Sequence, residues 1–383
     1  MSNYIVDKSI VIHKDIFAYV AHPSITVING EWIIVFTHSV RREPRKHPPG
    51  DPLFRTLLIR SPDQGTSWRK PYFVPDFNWY GVECPGISTL SDNSIVLTQF
   101  RFAWYPFGVA KKKRGLGEAI AISLPGKNWT VDFTEDQWGD AEYPWARGNH
   151  GVYVHISKDE GYTFETVKLD MSPYKDGYTR VGVLGLEDGS IAYPLTEHYP
   201  FGSTPGRNGN YTYMLRSNDN CNTWTKPVQI VDSTVFDKDY YGEPDIVEVS
   251  PGEIFCILRT DDSVGKSGYL YSCRSFDRGD TWTNPEITPM CGLPGHLIVL
   301  DDGRLLCTYG RRIEPFGVRA MLSEDGGRTW LSDDEIIIRD DLPNGDLGYP
   351  TTIEYEPGCL FVCYYGQDTD GVTCIQGTYV KLC

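Results

Sequence analysis

The residues best suited to chemistry in this sequence stand where short apolar runs begin and end. His22, Arg180, Glu243, His296 and Tyr349 each open such a run, as do Glu83 and Cys84, while Arg259, Arg311 and Arg312 close others. A carboxylate that begins an apolar strand needs a partner, and Arg259, ending the run that follows Glu243, can be that partner. Planar guanidinium forks also suit a ligand carboxylate. A Tyr/His pair can abstract a proton α to a carboxylate so held, and His22, His296 and Tyr349 allow that chemistry.

These groups matter only if the chain brings them together. Five copies of one turn pattern argue that it does: 61–68 (SPDQGTSW), 157–164 (SKDEGYTF), 217–224 (SNDNCNTW), 275–282 (SFDRGDTW) and 323–330 (SEDGGRTW). In each, Asp can accept backbone N–H bonds, Gly takes the φ > 0 position and the terminal aromatic packs into the next layer; Asn220-Cys221 disturbs the third copy and Phe164 replaces Trp in the second. A second repeat interleaves: an apolar run, a turn, another apolar run, starting at His22, Cys84, Arg180, Glu243, His296 and Tyr349. Each reads as a β-hairpin, and such periodicity marks a repeat architecture. The expectation is an all-β, six-bladed β-propeller over residues 1–383, with the hairpins as strands A and B and the five turns between strands C and D.

The last hairpin lacks a turn copy. The run VTCIQGTYVKL supplies its third strand and the N-terminal YIVDKSIVIH its fourth, closing the ring without an open edge. The hairpin starts at Cys84 and Arg180 are 96 residues apart, which places an insertion in blade 2 at about 101–148. Its basic run, Lys111 to Arg114, reads as a solvated loop; its aromatics (Trp104, Tyr105, Trp138, Tyr143, Trp145) read as a mini-core or a sugar-stacking lid.

In such a ring the A–B turns and the repeated turns share one face. The starts of strands A, the ends of strands B and the starts of strands C then meet at the opposite mouth. That gathers the residues named above with Arg42, His198, Asp261, Tyr365 and Arg319, and a concave convergence of Arg, Glu, His and Tyr is a binding-site signature.

Bulk composition fits: 38 Gly, 26 Pro and 13% aromatic residues describe strands and turns. A net charge of −15 argues against nucleic acid or an anionic membrane as partner. Ten cysteines show neither a CxxC pair nor metal-ligand spacing, so no metal or cofactor is expected and the thiols read as buried and reduced. The N-terminus lacks the apolar core of a signal peptide and no apolar run is long enough to span a bilayer, which implies a cytoplasmic protein.

The five turn copies resemble the Asp boxes of the sialidase (neuraminidase) superfamily, which are six-bladed propellers. Sialidases use a Tyr nucleophile whose proton passes to a neighbouring Glu, an Asp as acid/base and three Arg that clamp the substrate carboxylate. A phenol with a pKa near 10 needs such a carboxylate to become a nucleophile. The resemblance makes Tyr349 the nucleophile, Glu243 its base and Arg259 the second Arg, with Arg319, or else Arg311 or Arg312, as the third. Arg180 and His296 are further candidate substrate contacts. The sequence departs from the pattern at the first Arg, where Val20-Ala21-His22-Pro23 stands, and at its supporting Glu, where Tyr365 stands. The acid/base Asp is also displaced; Asp51 is the nearest carboxylate, with His22 as the alternative. The implied activity is an exo-acting glycoside hydrolase on a terminal, acidic sugar of a glycan. A uronic-acid glycan lyase and a non-catalytic glycan-binding propeller are the alternatives.

Overall fold

The computed structural model describes residues 4–42, 51–75, 80–125, 129–174, 177–197, 210–236, 240–260 and 268–383, without the side chains of 80–83. Six antiparallel sheets form the blades of a propeller. Blade 1 runs Ala18–Ile28, Glu31–Val40, Arg55–Ser61 and Tyr72–Phe73 from the axis outward. Blade 6 is Gly348–Glu356, Cys359–Gln367 and Thr373–Leu382, completed by the N-terminal strand Tyr4–Lys14 in a register that begins at Tyr4↔Leu382. The expected ring closure is therefore present. Trp32 of blade 1 packs against Phe361 of blade 6 at a ring separation of 4.8 Å, and this apolar contact seals the join.

The repeated turns sit between strands C and D and share one hydrogen-bond scheme. In the fourth, the Ser275 hydroxyl donates to Asp277 (2.7 Å) and accepts from the Gly279 N–H (2.6 Å), while Asp277 accepts from the N–H (2.8 Å) and hydroxyl (2.6 Å) of Thr281. Such bonds hold the Asp159 carboxyl down at about 2, the Thr163 hydroxyl contributing most. In the third copy Cys221 takes the glycine position itself, at φ +67°. Ser275→Ala strands the buried Gly279 N–H. It is expected to cost about 1–2 kcal/mol, measured as a lower denaturant midpoint.

The blade 2 insertion lies between strands Ile95–Pro106 and Trp145–Ser157. The basic run is not a solvated loop. It forms the helix Phe107–Gly115, whose Ala110 packs with Ile120, Ile122, Phe133 and Trp138 in a small core of its own. The cations cover that core: the Arg114 guanidinium lies 3.7 Å from the Phe133 ring centroid and Lys111 lies over Trp138. Among the described residues no helix is long and apolar enough to cross a membrane.

Candidate active site

Four strands A carry the same irregularity. His22, Cys84, Glu243 and Tyr349 each precede a proline and each adopts a positive φ, between 44° and 54°. Strand pairing skips at all four places, between Ala21 and Ser24, Glu83 and Gly86, Gly242 and Asp245, and Gly348 and Thr351. A left-handed conformation costs a non-glycine residue about 1–2 kcal/mol. Bulges re-aim side chains, and strain repeated at one level of four blades singles out a candidate functional site.

All four bulged side chains take part in one buried cluster. Glu243, 2% exposed, accepts the Tyr349 hydroxyl hydrogen bond at Oε1. The same oxygen accepts from the Tyr178 hydroxyl at 2.9 Å, and Oε2 pairs with Arg259 Nη1 at 2.9 Å. Arg259 Nη1 also lies 3.4 Å from the Tyr349 hydroxyl. Arg312 covers the Tyr349 ring, its guanidinium carbon 5.6 Å from the centroid and its Nε donating to the Leu347 carbonyl. His22 meets that ring edge-on at 4.4 Å, with Nδ1 3.2 Å from the Thr37 hydroxyl.

The charges divide clearly. Burial pushes the Glu243 carboxyl up, but the Arg259 charge, hydrogen bonds from Tyr349 and Arg259, and the Arg312 charge more than offset it, so its pKa falls below the ordinary value. Burial, reinforced by the charge of Glu243, holds the Tyr349 phenol well above its ordinary value. The resting site is thus a neutral phenol donating to a carboxylate. Because the Glu243 pKa is depressed, its stabilising contribution is complete above its unfolded value of 4.5 and is lost as pH falls through the folded value. Arg259→Met removes the largest offset to burial. The Glu243 carboxyl is then expected to titrate above 4.5, read by carbon-13 NMR of the side-chain carboxyl.

The site lies in a ring whose sequence signature extends beyond the turns. A family model described as a BNR repeat-like domain matches residues 140–362, more than half of the chain. The chain belongs to the BNR repeat-like family. No curated protein matches the sequence. Among solved structures, a protein of unknown function from Dyadobacter fermentans DSM 18053 is 22% identical, with all of both chains covered and a TM-score of 0.78. The NanB sialidase from Streptococcus pneumoniae is 13% identical over 98% of this chain and 70% of that one, with a TM-score of 0.64. An alpha-L-arabinanase from Penicillium chrysogenum is 12% identical over 99% of both chains, also at 0.64. This BNR repeat-like protein therefore has the sialidase-like propeller fold.

The other expected site residues divide. Arg180, 2% exposed, has its guanidinium carbon 5.8 Å from the Tyr349 ring centroid. It donates through Nη1 to the Gly295 carbonyl (2.6 Å) and through Nη2 to that of Pro350, binding blade 3 to blades 5 and 6 across the axis. These two donors serve the scaffold. Arg319 is buried against the carbonyls of Val318 and Arg339 and beside Glu335, so it does not reach the cluster. Arg311 bonds the Glu314 carbonyl, and it is Arg312 that covers Tyr349. His296 accepts from the Thr352 N–H and lines a cavity of about 430 Å³ on the hairpin-turn side, with Asp245, not the mouth.

Asp51 is buried beside Arg42, with Oδ2 2.5 Å from Nε and Oδ1 accepting from the Leu53 N–H. Among the described residues these are its partners, and it is not part of the Tyr349 cluster. His198 and Asp261, and the side chain of Glu83, lie outside the described residues. In the insertion, Trp145 has Tyr143 stacked on it at 5.4 Å and Arg42 over it at 5.5 Å, so these aromatics pack on their neighbours.

Sequence reasoning missed Tyr178, and Asp346 with it. Tyr178 stands two positions before Arg180, and alternation along an extended chain was its signal. Asp346 Oδ1 accepts from Tyr19 (2.6 Å) and Tyr365 (3.1 Å), so the Tyr365 phenol is held by an Asp that it shares with Tyr19.

Proposed function

We propose that this protein is a sialidase-like exo-glycoside hydrolase that releases a terminal, acidic sugar from a glycan. The observation that carries the reading is the hydrogen bond from Tyr349 to Glu243, with Arg259 on the far carboxylate oxygen. Tyr349 Oη attacks the anomeric carbon as its proton passes to Glu243 Oε1. The glycosidic C–O bond breaks and the leaving oxygen takes a proton from an acid. Water then attacks the same carbon and gives a proton back to the spent acid, the bond to Tyr349 breaks, and Glu243 returns its proton to the phenolate as the sugar is released. Arg259 and Arg312 hold the sugar's anionic group beside the ring. His22, edge-on to Tyr349, is the nearer proton donor, since Asp51 is paired with Arg42.

The contact between His22 and Tyr349 also suits proton abstraction beside a uronate carboxylate, which is the lyase reading. One panel separates the two. Aryl glycosides and oligosaccharides ending in sialic, deaminated sialic or uronic acids are offered to the protein and to Tyr349→Phe. Release of reducing sugar without new ultraviolet absorbance, abolished in the variant, supports the hydrolase. New absorbance from an unsaturated product replaces it with the lyase. Glycan binding with no product in either channel leaves a binding propeller.

A further inference from the structure

Glu243 Oε1 accepts two phenols, and only one is needed for a nucleophile and its base. The second, Tyr178, is 4% exposed, with its oxygen 2.9 Å from Glu243 Oε1 and 3.5 Å from that of Tyr349. On its other side lies Cys84 Sγ, at 3.0 Å. That thiol belongs to the same set of left-handed, proline-preceding residues as Glu243 and Tyr349. A thiol donating to the Tyr178 oxygen leaves the Tyr178 O–H to be given towards the carboxylate and Tyr349.

We propose that Tyr178 is a further catalytic residue, which transfers its hydrogen bond from Glu243 to the reacting Tyr349 oxygen as the reaction proceeds. The inference rests on the hydrolase reading above. In the resting site both phenols donate to the carboxylate. When the Tyr349 proton moves to Oε1, that oxygen becomes a hydroxyl and a poorer acceptor, while the Tyr349 oxygen gains negative charge. Turning the Tyr178 C–O–H torsion re-aims its proton across the 3.5 Å gap, with no ring displaced. In the second half-reaction water forms a bond to the anomeric carbon and the bond to Tyr349 breaks. The electron pair stays on the Tyr349 oxygen, where Tyr178 stabilises it until Glu243 returns the proton. Tyr178 therefore acts mainly on expulsion of the phenolate.

The test compares the wild-type protein with Tyr178→Phe, Tyr349→Phe and Cys84→Ala, using whichever aryl glycoside of the panel is hydrolysed. Tyr178→Phe is expected to lower kcat on the order of 100-fold, as loss of one donor to a developing oxyanion does. KM is expected to fall with it, because the covalent intermediate accumulates, and the rate should lose its dependence on the aryl group. Without substrate, the low-field proton resonance of the Tyr349 hydroxyl should move further downfield, since Glu243 then serves a single phenol. An unmoved resonance, or a kcat and KM equal to wild type while Tyr349→Phe is inactive, overturns the role of Tyr178 alone. Full turnover by Tyr349→Phe overturns the hydrolase reading and this inference together. Should Tyr178→Phe fail to fold, Cys84→Ala, which removes only the far-side partner, must still shift the same resonance, and its failure to do so counts against the proposal.

Discussion

Tyr349→Phe is expected to reduce turnover by about a thousandfold or more while the protein melts within a few degrees of wild type. The magnitude is that of removing a covalent nucleophile whose neighbours remain. The fold should persist because the ring is what packs: His22 lies edge-on at 4.4 Å and Tyr365 at 6.1 Å, and both contacts survive loss of the hydroxyl. Glu243 also stays satisfied, by Tyr178 at 2.9 Å and Arg259 at 2.9 Å. A buried carboxylate stripped of all partners would instead unfold the site. Steady-state kinetics on the hydrolysed aryl glycoside, with a thermal melt, measure both halves. Loss of activity accompanied by a collapse in melting temperature would make Tyr349 a packing residue.

Arg180→Met should have the largest effect on stability, on the order of 3–6 kcal/mol. Two buried carbonyls, those of Gly295 and Pro350, lose charged donors, each worth about 1.5–3 kcal/mol. The loss should also depend on pH. Burial pushes the Asp245 carboxyl up to about 6 from its ordinary value of 3.8, even with the Arg180 charge opposing the shift. A raised carboxyl favours the folded state below the unfolded pKa and costs stability as pH rises through the folded one. Removing Arg180 raises that pKa further. The variant should therefore lose more stability at pH 8 than at pH 5, as urea denaturation at the two values would show. Equal losses at both would sever the link between Arg180 and Asp245.

The fold was legible because its signals are local and repeated. An Asp, a small residue and an aromatic at fixed offsets specify a turn wherever they fall, and the apolar N-terminal run paired with the last strand because blade 6 had nothing else to complete it. The site was legible only in part, and the backbone explains where it failed. Glu243 and Tyr349 came from strands whose X-Pro step makes a bulge and turns the side chain into the cluster. Arg180 and His296 have no proline after them, and blade 5 pairs without interruption from Gly295 to Val299. Without the bulge, the same nominal position delivers Arg180 to the axis and His296 to the cavity behind it. The choice between Arg312 and Arg319 depended on which carbonyls each would meet, and pairing across strands C and D is not written in either residue's neighbours. Four X-Pro pairs at strand starts were visible in the sequence all along, and they mark the bulged set better than charge did.

The proposed hydrolysis passes through a covalent bond between Tyr349 and the sugar. The direct measurement is acid quenching of the protein during turnover of the hydrolysed aryl glycoside, followed by peptide mass spectrometry. The expected result is a glycosyl adduct on the peptide that contains Tyr349, more abundant in Tyr178→Phe and absent in Tyr349→Phe. Turnover that continues in Tyr349→Phe, or an adduct on any other residue, would contradict it.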